Sequence, residues 1–188
     1  MLVIGMRRGG SNYYALDVTN PDSPRFMWQI NGGTGQFDKM AQSWSRPSLI
    51  TVKDGAGEKK VLVFGGGYDD TIDDRHVATP SNGNAIYFVD TDGDFIRELT
   101  HQDMDYGIPS DLRVIDSDND GLADRIYVGD LGGQVWRLDF DDVSQASDFD
   151  LEPLLDVSGN GYQPFFYPPS VSLQLGSCLL YTSPSPRD

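Results

Sequence analysis

Residues 109–140 read PSDLRVIDSDNDGLADRIYVGDLGGQVWRLDF. Short runs rich in β-branched and aromatic residues occupy 111–115, 125–129 and 136–139, and an acidic loop and a Gly-Gly turn separate them. Such runs bounded by turn residues are typical of β-strands. The stretch therefore predicts a strand, an acidic turn, a second strand, a glycine-rich turn and a third strand.

Pieces of this stretch recur along the chain. Pro-Ser pairs stand at 47–48, 109–110 and 169–170; aliphatic runs ending in glycine stand at 2–5, 62–65 and 126–129; aromatic–x–aliphatic–Asp stands at 14–17, 87–90 and 136–139. A period of about 60 residues with four short strands is typical of a β-propeller blade. We predict an all-β fold, a fragment of a β-propeller with four-stranded antiparallel blades.

The repeats divide the chain into partial and complete blades. We expect an incomplete blade at 1–45, full blades at 46–108 and 109–168, and the start of another at 169–177, so that the chain begins and ends within a ring. Residues 178–188 break the repeat and are interpreted as a non-native, adapter-derived tail. The single cysteine, Cys178, belongs to that tail, so we predict no disulfide or thiol chemistry.

The composition excludes several classes of partner. A formal net charge of −15 argues against binding to nucleic acid or anionic membranes, which needs clustered Lys and Arg. No segment is long and apolar enough for a transmembrane helix. The glycine pairs lack the residues of a phosphate-binding loop, and we predict neither catalytic residues nor a small-molecule substrate.

The acidic loop at 116–124 predicts a calcium site. Asp116, Asp118, Asp120 and Asp124 take positions 1, 3, 5 and 9, and a glycine takes position 6. Clustered carboxylates repel one another unless a cation lies among them, and oxygen ligands suit Ca²⁺. In the related EF-hand loop, position 7 supplies a backbone carbonyl, which here is that of Leu122.

Two features separate this loop from an EF-hand. Position 12 is Tyr127 instead of a bidentate Glu, so Asp124 must close the site directly or through water. The flanking segments are predicted strands, so no helix pair exists to open on binding. We therefore expect calcium to stabilise the structure of one turn.

Two other acidic segments are weaker candidates. Asp90, Asp92 and Asp94 surround Gly93 between apolar runs, which favours a hairpin over a second calcium site. An insertion at 69–82 carries four aspartates and is predicted to be either a solvated loop or a partner-contact surface.

Three strings, GMRRGGSNYYALDVTNPDSPRFMWQI (5–30), KKVLVFGGGYDD (59–70) and DSDNDGLADRIYVGDLGGQVWRLDF (116–140), resemble the C-terminal propeller of PilY-type pilus proteins. The resemblance extends to about residue 177 and implies a non-enzymatic, exported protein of the bacterial type IV pilus machinery. It further implies a location at the cell surface, pilus tip or outer membrane, and a role in pilus biogenesis and adhesion. Calcium would affect the balance of pilus extension and retraction, with minor pilins and host or abiotic surfaces as partners.

Two other interpretations remain open. The segment 14–17 followed by Trp28 resembles the tryptophan-docking repeat of quinoprotein dehydrogenases, in which the acidic loop would hold a structural calcium beside a cofactor. That repeat appears once, whereas such an enzyme carries it in blade after blade. A repeat scaffold with an unknown partner is the third interpretation.

Overall fold

The computed structural model describes residues 1–73, 81–160 and 163–172, in which eleven strands form three antiparallel sheets. The first sheet contains β1 (Leu2–Gly5), β2 (Tyr13–Asp17) and β3 (Arg25–Ile30). The second contains β4 (Ser48–Asp54), β5 (Gly57–Gly65), β6 (Ile86–Asp90) and β7 (Phe95–Leu99). The third contains β8 (Arg113–Ile115), β9 (Arg125–Gly129), β10 (Gln134–Phe140) and β11 (Phe149–Asp156). Consecutive strands pair in each sheet, which confirms the predicted all-β meanders.

Single turns of 3₁₀ helix lie in the connections, at Arg7–Gly9, Gly35–Phe37, Asp70–Ile72, Ala146–Asp148 and Ser158–Asn160. Across the described ranges, no helix is long and apolar enough to cross a membrane.

The second sheet is covered on both faces. Tyr87 on β6 packs with Tyr13 and Phe64 in the core shared with the first sheet, where the Tyr13 and Phe64 ring centroids lie 4.7 Å apart. The next residue, Phe88, points the other way into the core shared with the third sheet, beside Trp136, which is 0% exposed. Alternate side chains thus enter opposite cores, which explains why β5 and β6 read as continuous apolar runs.

The last strand of each of the first two sheets reaches across to the next sheet. Trp28 on β3 donates its indole N–H to the carbonyl oxygen of Thr91 at 2.8 Å. Arg97 holds the corresponding place on β7, since Trp28 pairs with Ala15 of β2 and Arg97 with Phe88 of β6. Its guanidinium lies 4.8 Å from the ring centroid of Phe149. Equivalent positions therefore join neighbouring sheets in different ways: Trp28 by a hydrogen bond and Arg97 by a cation–π contact.

The glycine that ends β1, β5 and β9 marks a close approach. A β-carbon at Gly5, Gly65 or Gly129 would lie 2.5 Å from Ser43, Ile108 or Phe165 respectively, each on the segment that follows the last strand of its sheet. The glycine motif seen in the sequence therefore identifies structurally equivalent positions.

The Pro-Ser landmark does not mark equivalent positions. Ser48 pairs with Val63 and Arg113 pairs with Tyr127, each two residues before the glycine of its strand, so Ser48 corresponds to Arg113. The predicted strand at 111–115 is accordingly too long at its start. Asp111 lies outside the ladder, and its carboxylate accepts hydrogen bonds from the backbone N–H and Nε of Arg46, at 2.7 and 2.6 Å.

In the described part of the acidic insertion, Asp70 and Asp73 are exposed, as in a solvated loop, whereas Asp69 is not. Asp69 is buried, and its carboxylate accepts the backbone N–H groups of Thr71 and Asn82 at 3.0 and 2.8 Å. Residues 74–80 of this insertion lie outside the described residues, as do 173–177 of the predicted next blade and the tail at 178–188. The described part of that next blade, 169–172, forms no strand.

Candidate metal centre

The acidic loop joins β8 to β9, two strands that pair through Val114 and Ile126 and close at Ile115 and Arg125. Its ends are thus fixed by an antiparallel hairpin, as predicted from the β-branched flanks. A metal ion in this loop would act on a turn between strands.

The structure brings Asp116, Asp118 and Asp120 together. One carboxylate oxygen from each lies within 4.8 Å of the others, with Asp116 half-buried and the other two exposed. Asp116 also organises the backbone, because its carboxylate accepts the N–H groups of Asn119 at 2.6 Å and Gly121 at 2.9 Å. These local bonds are those by which aspartate favours turns.

The loop turns through two residues with positive φ, Asn119 at 63° and Gly121 at 95°. Asparagine and glycine are the residues that adopt this left-handed backbone most readily. Between them, Asp120 accepts the backbone N–H of Leu122 at 2.7 Å. The sequence Asn-Asp-Gly therefore folds the chain back tightly enough to bring the three carboxylates to one side.

Asp124 lies outside this group of three. Its carboxylate accepts the hydroxyl of Ser117 at 2.6 Å and the backbone N–H of the same residue at 3.1 Å. That arrangement closes the base of the loop. A role for Asp124 as a metal ligand stays a prediction, as does a role for the carbonyl of Leu122.

The donor set of the cluster fits a hard cation. The three converging groups are carboxylates, and like charges held this close repel one another unless a positive charge is placed among them. Oxygen donors from carboxylates and backbone are the ligands that Ca²⁺ takes, whereas zinc sites in proteins use mainly nitrogen and sulfur. The residues present therefore fit Ca²⁺.

The base of the loop is fastened to the second sheet. The backbone N–H of Ala123 donates to the carbonyl oxygen of Thr51 on β4 at 2.8 Å, and Ala123 is buried in the core between the two sheets. A cation that holds the loop in this form would therefore also support the contact between sheets.

A carboxylate that the sequence did not reveal supports the same end of the contact between the second and third sheets. Asp142 accepts the backbone N–H of Gly55, in the β4–β5 turn, at 3.0 Å. This hydrogen bond is the main reason why the pKa of Asp142 lies below its ordinary value. The neighbouring Asp141 pairs with Lys53 at 2.9 Å. No local motif marks these residues, because their partners lie in the preceding repeat.

A second overlooked carboxylate is Asp130, in the β9–β10 turn. It is 0% exposed, and burial raises its pKa to about 6. Its oxygens accept the backbone N–H groups of Gly132 and Gln134 and the indole N–H of Trp136, the last at 2.8 Å. The string Gly-Asp-Leu-Gly-Gly signalled a turn but not a buried charge.

The segment around Gly93 forms the predicted hairpin between β6 and β7. The Asp90 carboxylate accepts the backbone N–H groups of Asp92 and Asp94 at 3.0 and 2.9 Å, which explains the acids as turn formers. Among the residues that the structure describes, only Asp116, Asp118 and Asp120 form a group of three or more side chains able to hold a metal.

Comparisons with known proteins place these features in a family. The sequence model described as the PilY1 beta-propeller domain matches residues 1–163. The type IV pilus biogenesis factor PilY1 of Pseudomonas aeruginosa PAO1 is 30% identical over 142 residues, which cover 74% of this chain and 11% of that protein. A PilY1 homolog of Xylella fastidiosa is 29% identical over 153 residues, covering 73% of this chain and 9% of the homolog.

A solved structure agrees with the sequence matches. The crystal structure of the Pseudomonas aeruginosa PilY1 C-terminal domain superimposes with a TM-score of 0.69 and 26% identity, covering 90% of this chain and 36% of that one. The chain thus spans about a tenth of the length of the curated relatives and adopts the fold of part of the PilY1 β-propeller. The chain belongs to the family of the PilY1 β-propeller domain.

Proposed function

We propose that this chain is the calcium-binding propeller segment of a type IV pilus-associated surface protein. The observation that carries the proposal is the convergence of Asp116, Asp118 and Asp120 within 4.8 Å on a hairpin loop. Its biological setting is supported by relatives that are named type IV pilus biogenesis factors.

The ion would stabilise the loop between β8 and β9. With Ca²⁺ bound, the repulsion among the three carboxylates becomes attraction to a common centre, and the register of β8 and β9 is held at the loop end. Leu122 would add its carbonyl and Asp124 would close the site, directly or through water. Because the backbone N–H of Ala123 donates a hydrogen bond to β4, loosening of the loop would also weaken the contact between the second and third sheets.

At the level of the whole protein, the proposal extends to pilus biogenesis, adhesion and calcium-dependent control of extension and retraction. Minor pilins and host or abiotic surfaces would be the partners, and the protein would be exported to the cell surface or pilus tip. We further propose that the sheets are blades of about 60 residues, divided at 45, 108 and 168.

The non-enzymatic interpretation is favoured over a quinoprotein-type enzyme. Trp28 docks on the next sheet through Thr91, as one repeat of a docking motif would. At the corresponding positions of the other two sheets stand Arg97 and Glu152. One docking tryptophan among three described sheets favours a contact particular to this pair of sheets. A quinoprotein enzyme would repeat the tryptophan in successive blades.

Calcium titration calorimetry on the intact, chelator-treated protein tests the proposal. We expect one saturable site in the native sequence, loss of that site in Asp120→Ala, and retention in Asp92→Ala, whose carboxylate lies in the β6–β7 turn. Equal heats from Asp120→Ala and the native protein would place the ion elsewhere. In cells, Asp120→Ala should shift pilus-dependent motility at a given calcium concentration, whereas Asp92→Ala should not.

A further inference from the structure

A cavity of about 640 Å³ lies where the segments that lead into β4 and β8 meet residues 166–168. Its lining includes Arg7, Trp44, Arg46, Asp111, Phe166 and Tyr167. An adjoining cavity of about 300 Å³ shares Arg46 and Asp111 and adds Arg113. We call the two together the Arg7 groove.

Arg7 is held in an unusual conformation at the mouth of this groove. Its φ is 50°, a region that side chains other than those of Gly, Asn and Asp rarely adopt. Two backbone hydrogen bonds of 3.2 Å hold this conformation. The N–H of Arg7 donates to the carbonyl oxygen of Ser43, and the N–H of Gly10 donates to the carbonyl oxygen of Arg7. Non-glycine residues in sparsely populated backbone regions concentrate at functional sites.

The guanidinium of Arg7 is exposed and lies 5.4 Å from the ring centroid of Trp44. It forms no ion pair with any described carboxylate. Arg46, by contrast, pairs with Asp111, whose Oδ2 contacts both its Nε and its Nη2. Arg7 therefore presents to the groove a cation that has no carboxylate partner among the described residues.

The groove reverses the charge of the molecule locally. Three guanidinium groups, from Arg7, Arg46 and Arg113, face one carboxylate, that of Asp111, among the described residues that line it. The chain as a whole carries a formal charge of −15. A long polyanion would be repelled by the rest of the surface, whereas a single carboxylate group would be attracted to this groove.

One wall of the groove is apolar. Phe166 is 41% exposed and Tyr167 is 85% exposed, side by side on the segment after β11. Exposed aromatic rings beside an arginine are typical of the residues that anchor protein partners.

We propose that the Arg7 groove binds an acidic peptide segment that carries an aromatic residue. A carboxylate of the peptide pairs with Arg7, and its ring packs on Phe166 and Tyr167. The site is formed by other connections than the calcium loop, and its occupancy does not require the ion. Further residues of the longer protein are the competing occupant, since the chain covers 36% of the solved relative.

Fluorescence anisotropy with two labelled hexapeptides tests this inference on the full-length protein. One peptide alternates glutamate with phenylalanine, and the other replaces each glutamate by glutamine. We expect the acidic peptide to bind about tenfold more tightly, and Arg7→Gln to remove most of that difference, because a charge-assisted hydrogen bond is lost. Added salt should weaken binding of the acidic peptide.

Three variants separate the site from other effects. Arg25→Gln removes a cation on β3, away from the groove, and should leave binding unchanged. Tyr167→Ser changes a residue that is 85% exposed, so the fold should survive, and it should weaken both peptides several-fold. Asp120→Ala should bind the acidic peptide normally even if calcium binding is lost. Equal affinity for the two peptides, absence of binding because the protein's own residues cover the groove, or an unchanged affinity in Arg7→Gln would overturn the proposal.

Discussion

We predict that Asp118→Asn stabilises the protein in the presence of a chelator and destabilises it, relative to the native sequence, in saturating calcium. Asp118 is the member of the cluster whose replacement disturbs the loop least. It is exposed, and its carboxylate accepts one long hydrogen bond, 3.3 Å from the N–H of Asp120. Asparagine keeps the shape and an acceptor oxygen, so the charge is the main change.

The size of the effect without calcium follows from the distances in the cluster. At 4.8 Å, the upper limit of the separations between these carboxylate oxygens, two unit charges repel by about 0.9 kcal/mol in water. Removing the charge of Asp118 eliminates two of the three repulsive pairs, or about 1.7 kcal/mol at low salt and roughly half of that at physiological ionic strength. In a domain of this size, about 1 kcal/mol corresponds to a rise of about 2–4 °C in Tm.

The effect reverses when calcium is bound. Calcium at about one hundred times its Kd stabilises the native protein by about 2.7 kcal/mol, and a variant that has lost affinity gains little of this. The two melting temperatures should therefore cross as calcium is added, because the same carboxylate destabilises the empty loop and holds the ion in the occupied one.

Thermal unfolding in chelator and in a calcium series measures this crossing. Asp22→Asn is the matched control, since it removes one negative charge from an exposed turn away from the loop and should shift Tm little under either condition. If Asp118→Asn were less stable than the native protein in chelator as well, the carboxylate would stabilise the loop by itself, and the argument from repulsion would be refuted.

Three further predictions concern the sheets. The folded-state pKa of Asp130, about 6, exceeds its unfolded value, so its contribution to stability is complete below about pH 4 and is lost as pH rises through 6; a carboxyl NMR titration should find this group near 6, and a value below 4 would contradict the burial argument. Trp28→Phe removes the hydrogen bond to Thr91 and should lower the free energy of unfolding in urea by about 1 kcal/mol. An unchanged urea midpoint would show that this hydrogen bond does not stabilise the contact between the first two sheets. Gly65→Ala places a β-carbon 2.5 Å from a neighbouring segment and should cost about 1–3 kcal/mol or more in the same assay, whereas Gly159→Ala, in open space, should be nearly neutral; equal midpoints for the two would refute the close approach.

Local motifs predicted the parts of the fold that depend on local geometry. The glycine at the end of β1, β5 and β9 recurs because each leaves room for a close neighbour, Ser43, Ile108 or Phe165, so it could be recognised without a structure. The hairpin at Gly93 followed from turn chemistry alone. The Pro-Ser pair misled because Ser48 is itself the first paired residue of β4, whereas Ser110 lies before Arg113, the first paired residue of β8.

The same distinction applies to the candidate site. Asp116, Asp118 and Asp120 converge because their spacing lies within one turn, which the sequence displays directly. The hydrogen bonds of Asp124 to Ser117 depend on how the hairpin closes. Asp130 became a buried carboxylate only through the packing of Trp136 and the strands around it, and burial of that kind cannot be deduced from one turn.

A crystal structure of the calcium-soaked protein, with anomalous diffraction to locate the ion, is the most direct test of the calcium site. We predict one ion about 2.3–2.6 Å from carboxylate oxygens of Asp116, Asp118 and Asp120, a distance typical of Ca²⁺ ligands. The carbonyl of Leu122 and either Asp124 or a water held by it should complete the shell. An empty loop at saturating calcium, with the three carboxylates turned apart, would contradict the proposal.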